Sequence, residues 1–201
     1  MTKTSFVLAA GMVAILMAAP ALAAPLKDEI DNGSFETWTD DGPVSWDVVA
    51  GSVSPSSHAA DGATSASLQA PSDGVLAGIA QVVPNDSDDL PTIIPGAYYE
   101  FDFSAHLNTG SGSSAQANAV VVWRDILGNE VDRDTITLAD SQTFETHSLV
   151  LQAPLPDPGE LPVQNALVSF FMQLPSANSR HDVLLFVDAV AFGPTTPPLP
   201  A

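Results

Sequence analysis

Two carboxylates stand two positions apart, Glu100 and Asp102, inside a run of alternating apolar and polar residues. If this run is a β-strand, both side chains project from the same face, about 7 Å apart. A pair of carboxylates at that distance could serve as acid and base in glycoside hydrolysis. Nothing else in the sequence supports catalysis: the four histidines lack metalloprotease spacing, and no Gly-x-Ser-x-Gly turn occurs. We therefore expect that the protein is not an enzyme.

Aromatic side chains near polar ones indicate a second chemistry, the binding of sugars. Sugar rings stack their C–H faces on Trp and Tyr, while carboxylate, amide and guanidinium groups bind the hydroxyls. The hydrophobic pattern places Trp46, Tyr99 and Trp123 in the core, whereas Trp38 stands in a polar loop and is expected to be exposed. The candidate carbohydrate-binding residues are Trp38, Tyr98, Glu100, Asp102, His106 and Arg124.

The element that must position most of these side chains runs from Tyr98 to Asn108. Its odd-numbered positions are apolar or aromatic, and its even-numbered positions are mostly polar. Alternation with period two places one face of a strand in the core and the other in water or in a cleft. The polar face, together with Arg124, is therefore the candidate cleft. A solvated outer sheet face is the alternative interpretation of the same pattern.

The rest of the chain also has the pattern of a β protein. Short apolar runs recur at intervals of roughly 10 to 20 residues, separated by Gly, Pro, Asn, Asp and Ser, which is typical of a sandwich or jelly roll. No long helical pattern occurs, and one short helical turn is expected at most, in Asp86–Leu90. The predicted strands are Ser45–Val49, Ser65–Gln69, Leu76–Val83, Ala97–Leu107, Ala117–Asp125, Asp132–Thr137, Phe144–Leu151, Ala166–Gln173 and Val183–Phe192.

The charge balance excludes several kinds of partner. The 201 residues include 24 Asp and Glu but only 5 Lys and Arg, a formal charge of −19. Nucleic acids and anionic membrane surfaces are bound through clustered basic residues, so neither is expected here. The same charge would keep the protein soluble, and we expect a monomer. There is no Cys, which excludes disulfides and thiolate chemistry.

The first 23 residues have the pattern of a signal peptide. Lys3 is followed by an apolar run to Ala19 and by Ala21-Leu22-Ala23, a typical cleavage site. The apolar run is shorter than the ~20 residues that span a bilayer; an uncleaved anchor is the alternative. We expect a secreted, extracellular protein, with the periplasm also possible, and no membrane contact after cleavage. The proline-rich end, 194–201, is expected to be an extended tail.

Several short motifs occur together in a recognisable order. Asn32-Gly33-Ser34-Phe35-Glu36 is followed by Asp61-Gly62, by Gly96-Ala97-Tyr98-Tyr99-Glu100-Phe101 and finally by Phe186-Val187-Asp188-Ala189-Val190. This set resembles the secreted carbohydrate-binding modules, with a galactose-binding-like jelly roll, that are appended to xylanases and cellulases. The resemblance implies a single all-β sandwich domain over residues 28–193. It also implies a non-catalytic module that binds a polysaccharide, and the acidic charge favours a neutral one.

The same resemblance implies a structural calcium ion. In such modules the N-terminal Glu and the Asp of the last strand meet at buried Ca²⁺, and the matching residues here are Glu36 and Asp188. Asp61, in the turn before Gly62, could supply a third carboxylate. Ca²⁺ takes six to eight oxygen ligands, and a carboxylate in an apolar strand is costly unless it is paired or bound. The alternative is that Asp188 caps backbone groups or faces solvent at a strand end.

A function of a different class remains open. The protein could be an extracellular structural or adhesion module without sugar specificity. Three features favour this interpretation: there is no accompanying enzyme domain, few aromatic side chains are expected at the surface, and the surface is strongly acidic.

Overall fold

The computed structural model describes residues 29–71, 75–84, 93–109, 115–175 and 183–198. They form two five-stranded antiparallel sheets, which face each other as a sandwich, and a two-stranded ribbon. The all-β jelly-roll class expected from the sequence is confirmed. No helix within these ranges is long and apolar enough to cross a membrane.

The strands are numbered in chain order. The first sheet has the order β10-β7-β12-β5-β4, the second sheet has the order β3-β6-β11-β8-β9, and β1 pairs with β2 in the ribbon. The bounds are β1 Trp38–Thr39, β2 Gly42–Pro43, β3 Asp47–Ala50, β4 Ser52–Ser56, β5 Ser65–Gln69, β6 Leu76–Val83, β7 Tyr98–Asn108, β8 Gln116–Asp125, β9 Glu130–Leu138, β10 Glu145–Gln152, β11 Val163–Gln173 and β12 Leu184–Thr195.

The core lies between the two sheets and is rich in aromatic rings. Tyr99 of the first sheet lies 5.7 Å from Trp123 of the second, and Phe103 lies 5.2 Å from Phe170, edge to face. Trp46 is also buried, so all three aromatic residues that the pattern assigned to the core are found there. Burying one such side chain stabilises a fold by about 1.5–3 kcal/mol. This core therefore provides stability that disulfides supply in many exported proteins.

The nine predicted strands are all present, with ends shifted by up to a few residues. The sequence did not predict β4, because Pro55 and three serines are not typical of a strand. β4 lies at a sheet edge, where a proline removes no hydrogen bond between strands. Strand β12 extends through Pro194 and Thr195 into the predicted tail. β5 pairs only with Leu185–Val187, so this end of β12 has a free side that tolerates proline. The expected signal peptide and helical turn lie outside the described residues.

A β-bulge in β12 joins the two ends of the domain. Ala189 and Val190 together stand opposite one residue of β7, and Ala189 has φ of 50°. The bulge turns the amide of Val190 towards the carbonyl oxygen of Gly33, at 2.9 Å. A Cβ atom on Gly33 would overlap the Val190 carbonyl group, so the glycine in the Asn-Gly-Ser motif permits this close contact.

Candidate functional site

The six predicted carbohydrate-binding residues do not form one cleft. Tyr98, Glu100, Asp102 and His106 share the outer face of the first sheet, as the alternation predicted. Arg124 lies on β8, in the second sheet, and therefore on the opposite side of the sandwich. The grouping with Arg124 is corrected, because the connection from β7 to β8 crosses between sheets, and period-two alternation carries no information on such crossings.

Trp38 also differs from its expected exposure. The indole is partly buried against the core, and its Nε1–H donates to the carbonyl oxygen of Phe35. The ring lies in the short β1–β2 ribbon, where Trp38 pairs with Pro43. A polar loop in the sequence thus folds back onto the core, and Trp38 serves there as a packing residue.

On the outer face of the first sheet, polar side chains of neighbouring strands form hydrogen bonds with one another. Ser148 donates to Glu100 at 3.3 Å, and Ser104 and Thr146 share a hydrogen bond of 3.1 Å. Asp102 is half-buried, and its Oδ1 has no partner among the described residues. Cross-strand pairs of this kind stabilise a sheet. They also leave few side-chain groups on this face for a ligand.

His106 is covered by a small aromatic cluster. Its Nδ1 lies 2.7 Å from Nε2 of His58, and its ring stacks on Phe186 with centroids 5.3 Å apart. Phe144 closes the cluster, and His106 is only 6% exposed. Burial and the neighbouring His58 lower the pKa of His106, while a backbone bond to Ser141 and the charge of Asp140 raise it less. His106 is therefore not available to bind a sugar.

A groove of about 380 Å³ crosses the outer face of the second sheet. Each strand of this sheet sends alternate residues into the core, and the remaining ones form the groove. Its floor is mainly aliphatic, and polar side chains stand along its β8–β9 side. The lining residues are Leu76, Asn118, Val120, Val122, Arg124, Glu130, Arg133, Thr135, Leu167, Ser169, Phe171 and Gln173.

An ion pair lies at one end of this groove. Arg133 contacts Glu130 through two bonds, Nη2 to Oε2 at 2.6 Å and Nε to Oε1 at 3.0 Å. The hydrogen bond from Arg133 is the main cause that lowers the pKa of Glu130. Arg124 stands opposite Glu130 in the strand register, but it makes no hydrogen bond or ion pair with the described residues. The groove thus contains one paired and one unpaired guanidinium group.

Phe171 gives the groove an aromatic surface. Its ring is half-buried and lies over Gly78 of the neighbouring strand, which stands directly opposite in the register. A Cβ atom at position 78 would overlap the Phe171 ring. The sequence analysis did not select Phe171, because β11 is apolar on both faces and alternation then gives no sign of which face is exposed. A glycine in the neighbouring apolar strand was the available signal of an aromatic ring lying flat on the sheet.

Three carboxylates predicted to bind a metal meet at one loop, residues 60–64. Glu36 Oε1 accepts the N–H groups of Ala63 and Thr64, at 2.7 and 2.9 Å, and these bonds lower its pKa. Asp188 is fully buried, and its Oδ2 accepts the N–H groups of Ala60 and Asp61, at 2.7 and 2.9 Å. Burial raises the pKa of Asp188, and the hydrogen bonds offset part of that effect.

The hydrogen bonds that these carboxylates already accept bear on whether calcium fits at this loop. Both oxygens of Asp188 accept backbone N–H groups, since Oδ1 binds the amide of Ala189, and Asp61 Oδ1 accepts from Gly62. Within the described ranges, no group of three or more His, Asp and Glu side chains is arranged to hold a metal. The structure thus gives these carboxylates a capping role, and the calcium ion stays a prediction.

No family model and no curated protein match the chain. Among solved structures, the enzymatically active domain of tailspike protein 4 of bacteriophage CBA120 has a TM-score of 0.62 and 20% identity, over 84% of this chain and 21% of that one. A family 16 carbohydrate-binding module has a TM-score of 0.53 and 17% identity, over 82% and 99%. A Stig cyclase from Fischerella sp. TAU has values of 0.57 and 17%, over 86% and 98%.

These structural similarities establish the fold. The chain is a jelly-roll sandwich of the galactose-binding type, as found in carbohydrate-binding modules, and this confirms the resemblance in its motifs. The matching structures include both binding modules and enzymes, and one fold commonly hosts several functions. The fold alone therefore does not determine the function.

Proposed function

We propose that the protein is a non-catalytic carbohydrate-binding module that holds a polysaccharide in the groove of the second sheet. The observation that carries this proposal is the position of Phe171 and the unpaired Arg124 in one open groove. A half-exposed ring can stack on a sugar, and a free guanidinium group can donate to its hydroxyls or ring oxygen. The volume of about 380 Å³ lies in the range of small-ligand sites.

The groove chemistry supports binding without catalysis. Glycosidases use two carboxylates on either side of the bond they break, one of them with a raised pKa. Glu130 is the one carboxylate among the lining residues, and its pKa is lowered by Arg133. Such a carboxylate stays ionised and cannot act as an acid near neutral pH.

The polymer proposed here has an uncharged backbone, and the protein is proposed to meet it outside the cell. With 24 acidic residues against 5 basic ones, the module would be repelled by a densely anionic polymer. The signal-like first 23 residues support export. Binding of a soluble xylan, β-glucan, mannan or agarose is the property that this proposal predicts.

Affinity electrophoresis with those polymers tests the proposal and separates the two faces of the sandwich. Native gels with and without each polymer are run for the wild type, for Phe171→Ala in the groove and for Tyr98→Ala on the first sheet. We expect retardation of the wild type on at least one polymer, loss of it in Phe171→Ala and its retention in Tyr98→Ala. Loss in Tyr98→Ala alone would move the site to the first sheet. Absence of retardation on all polymers would favour the structural or adhesion function.

A structural Ca²⁺ ion at Glu36, Asp61 and Asp188 is a separate proposal. Its support is the motif resemblance, together with the hydrogen bonds of Glu36 and Asp188 to neighbouring amides of the loop 60–64 that contains Asp61. A ligand that binds only the folded state raises the melting temperature. We expect 1 mM CaCl₂ to raise the melting temperature over that in EDTA, and Glu36→Gln to abolish the difference. Equal melting temperatures in the wild type would exclude the ion.

A further inference from the structure

We propose that the groove selects a polysaccharide that carries isolated carboxylate groups, as uronic acid substituents on an uncharged backbone, and that Arg124 binds the carboxylate. This inference rests on the proposed function, because it names the chemistry of the polymer held in the same groove. It concerns a single charged substituent and not a polyanion.

The distribution of charge gives the first argument. The whole chain has only 5 Lys and Arg, yet two of them, Arg124 and Arg133, line this one groove. The single acidic lining residue, Glu130, is bound in bidentate fashion by Arg133. The charge of Arg124 also lowers the pKa of Glu130, but two guanidinium groups against one carboxylate leave the groove with a net positive charge. An anionic group on a ligand would therefore meet a local positive charge at this groove, although the protein as a whole is strongly acidic.

The geometry of Arg124 gives the second argument. Its side chain is half-buried at the groove, and it makes no ion pair or hydrogen bond with the described residues. Guanidinium groups bind carboxylates through two parallel N–H donors, and such bonds are about twice as strong as neutral ones. Glu130 stands across the strand register but is held by Arg133, so the donors of Arg124 remain available to a ligand.

The net charge of the protein limits how closely the carboxylates of the polymer can be spaced. At physiological ionic strength, charges more than about 8 Å apart are largely screened. One carboxylate at Arg124 would therefore meet mainly the local positive charge. Closely spaced carboxylates along a polymer would meet the surrounding acids as well, since the formal charge is −19. The groove should thus prefer sparse carboxylates.

The test uses two forms of one polymer, glucuronoxylan with its carboxyl groups intact and the same material after reduction of those groups to neutral alcohols. Affinity gels give the dissociation constant of the wild type, Arg124→Gln and Arg124→Lys on each form. We expect the wild type to bind the intact form about tenfold more tightly, as the loss of one charged hydrogen-bonded contact predicts. Arg124→Gln should bind both forms equally, and Arg124→Lys should lie between, because it keeps the charge but loses the planar fork.

The outcomes separate this inference from the proposed function. Equal binding of both forms by the wild type overturns the carboxylate selectivity and leaves the carbohydrate-binding module intact. Selectivity that persists in Arg124→Gln, with its melting temperature unchanged, also overturns the role of Arg124. No binding of either form, nor of the other test polymers, overturns the proposed function and this inference with it.

Discussion

Asp188 ties the bulge of β12 to the loop of residues 60–64. It is fully buried and accepts backbone N–H groups from Ala60, Asp61 and Ala189. Asp188→Asn would replace one acceptor oxygen by an NH₂ group that faces N–H donors. Hydrogen bonds to charged groups contribute about 1.5–3 kcal/mol each, so we expect a loss of about 2–4 kcal/mol of unfolding free energy. Urea unfolding measures it.

Asp61→Asn is the matched control for this change. Asp61 is exposed, and its side chain bonds only to the next amide, that of Gly62. An asparagine keeps that acceptor, so the urea midpoint should move little. A loss in Asp61→Asn as large as that in Asp188→Asn would contradict the assignment of the buried carboxylate as the group that holds the loop.

The buried His106 makes stability depend on pH. Burial lowers the pKa of His106 below the ordinary value near 6.5, so below that pH the unfolded chain binds the proton more readily than the folded one. The contribution of His106 is therefore complete above about pH 6.5 and declines as the pH falls. We expect a lower urea midpoint at pH 5.5 than at pH 7.5, and a weaker dependence in His106→Leu. An equally weakened dependence in His147→Gln, outside the pair of His58 and His106, would contradict this.

At the scale of elements, Gly78 and Phe171 show how two paired strands build the groove. They stand opposite each other on β6 and β11, and the ring lies over the glycine. Gly78→Ala would displace the ring, because the new Cβ would overlap it and would lie 3.0 Å from the carbonyl oxygen of Phe170. We expect weaker polysaccharide binding, by about tenfold if the contact with the Phe171 ring is lost. Affinity electrophoresis measures this loss.

A matched variant shows whether a loss of binding in Gly78→Ala comes from displacement of Phe171. Ala80→Gly lies on the same strand, two positions along, and adds no atoms near Phe171. It should cost some stability but keep the binding. Unchanged binding in Gly78→Ala, with the fold intact by circular dichroism, would remove Phe171 from the site.

Nine of the twelve described strands were predictable from sequence, whereas the sheets that contain them were not. Alternation identified β7 and its two faces because it depends only on neighbouring residues. The placement of Arg124 depends on which sheet β8 joins, and that is set by pairing with the distant β11. Phe171 was missed for the same reason: apolar residues on both faces of β11 describe the strand, not what covers it. Motif resemblance did bring Glu36, Asp61 and Asp188 together, and the structure shows the loop on which they meet.

The whole molecule carries far more acidic than basic residues, and this affects its stability. Only one ion pair, Arg133 with Glu130, is found among the described residues, so most carboxylates repel one another without compensation. Salt screens such repulsion more strongly in the compact state. We expect the melting temperature to rise by several degrees between 10 mM and 0.5 M NaCl at pH 7.5. A melting temperature that falls over this range would show that specific ion pairs dominate.

The position of β12 limits the order in which the chain can fold. This last strand lies inside the first sheet, between β7 and β5, and Asp188 reaches back 128 positions to the amide of Ala60. The first sheet therefore cannot close until the C-terminal residues are available. Closing such distant contacts is slow. A chain that is still emerging from the ribosome would keep its aromatic core open until β12 has emerged, so the sandwich cannot form progressively from its N-terminal strands.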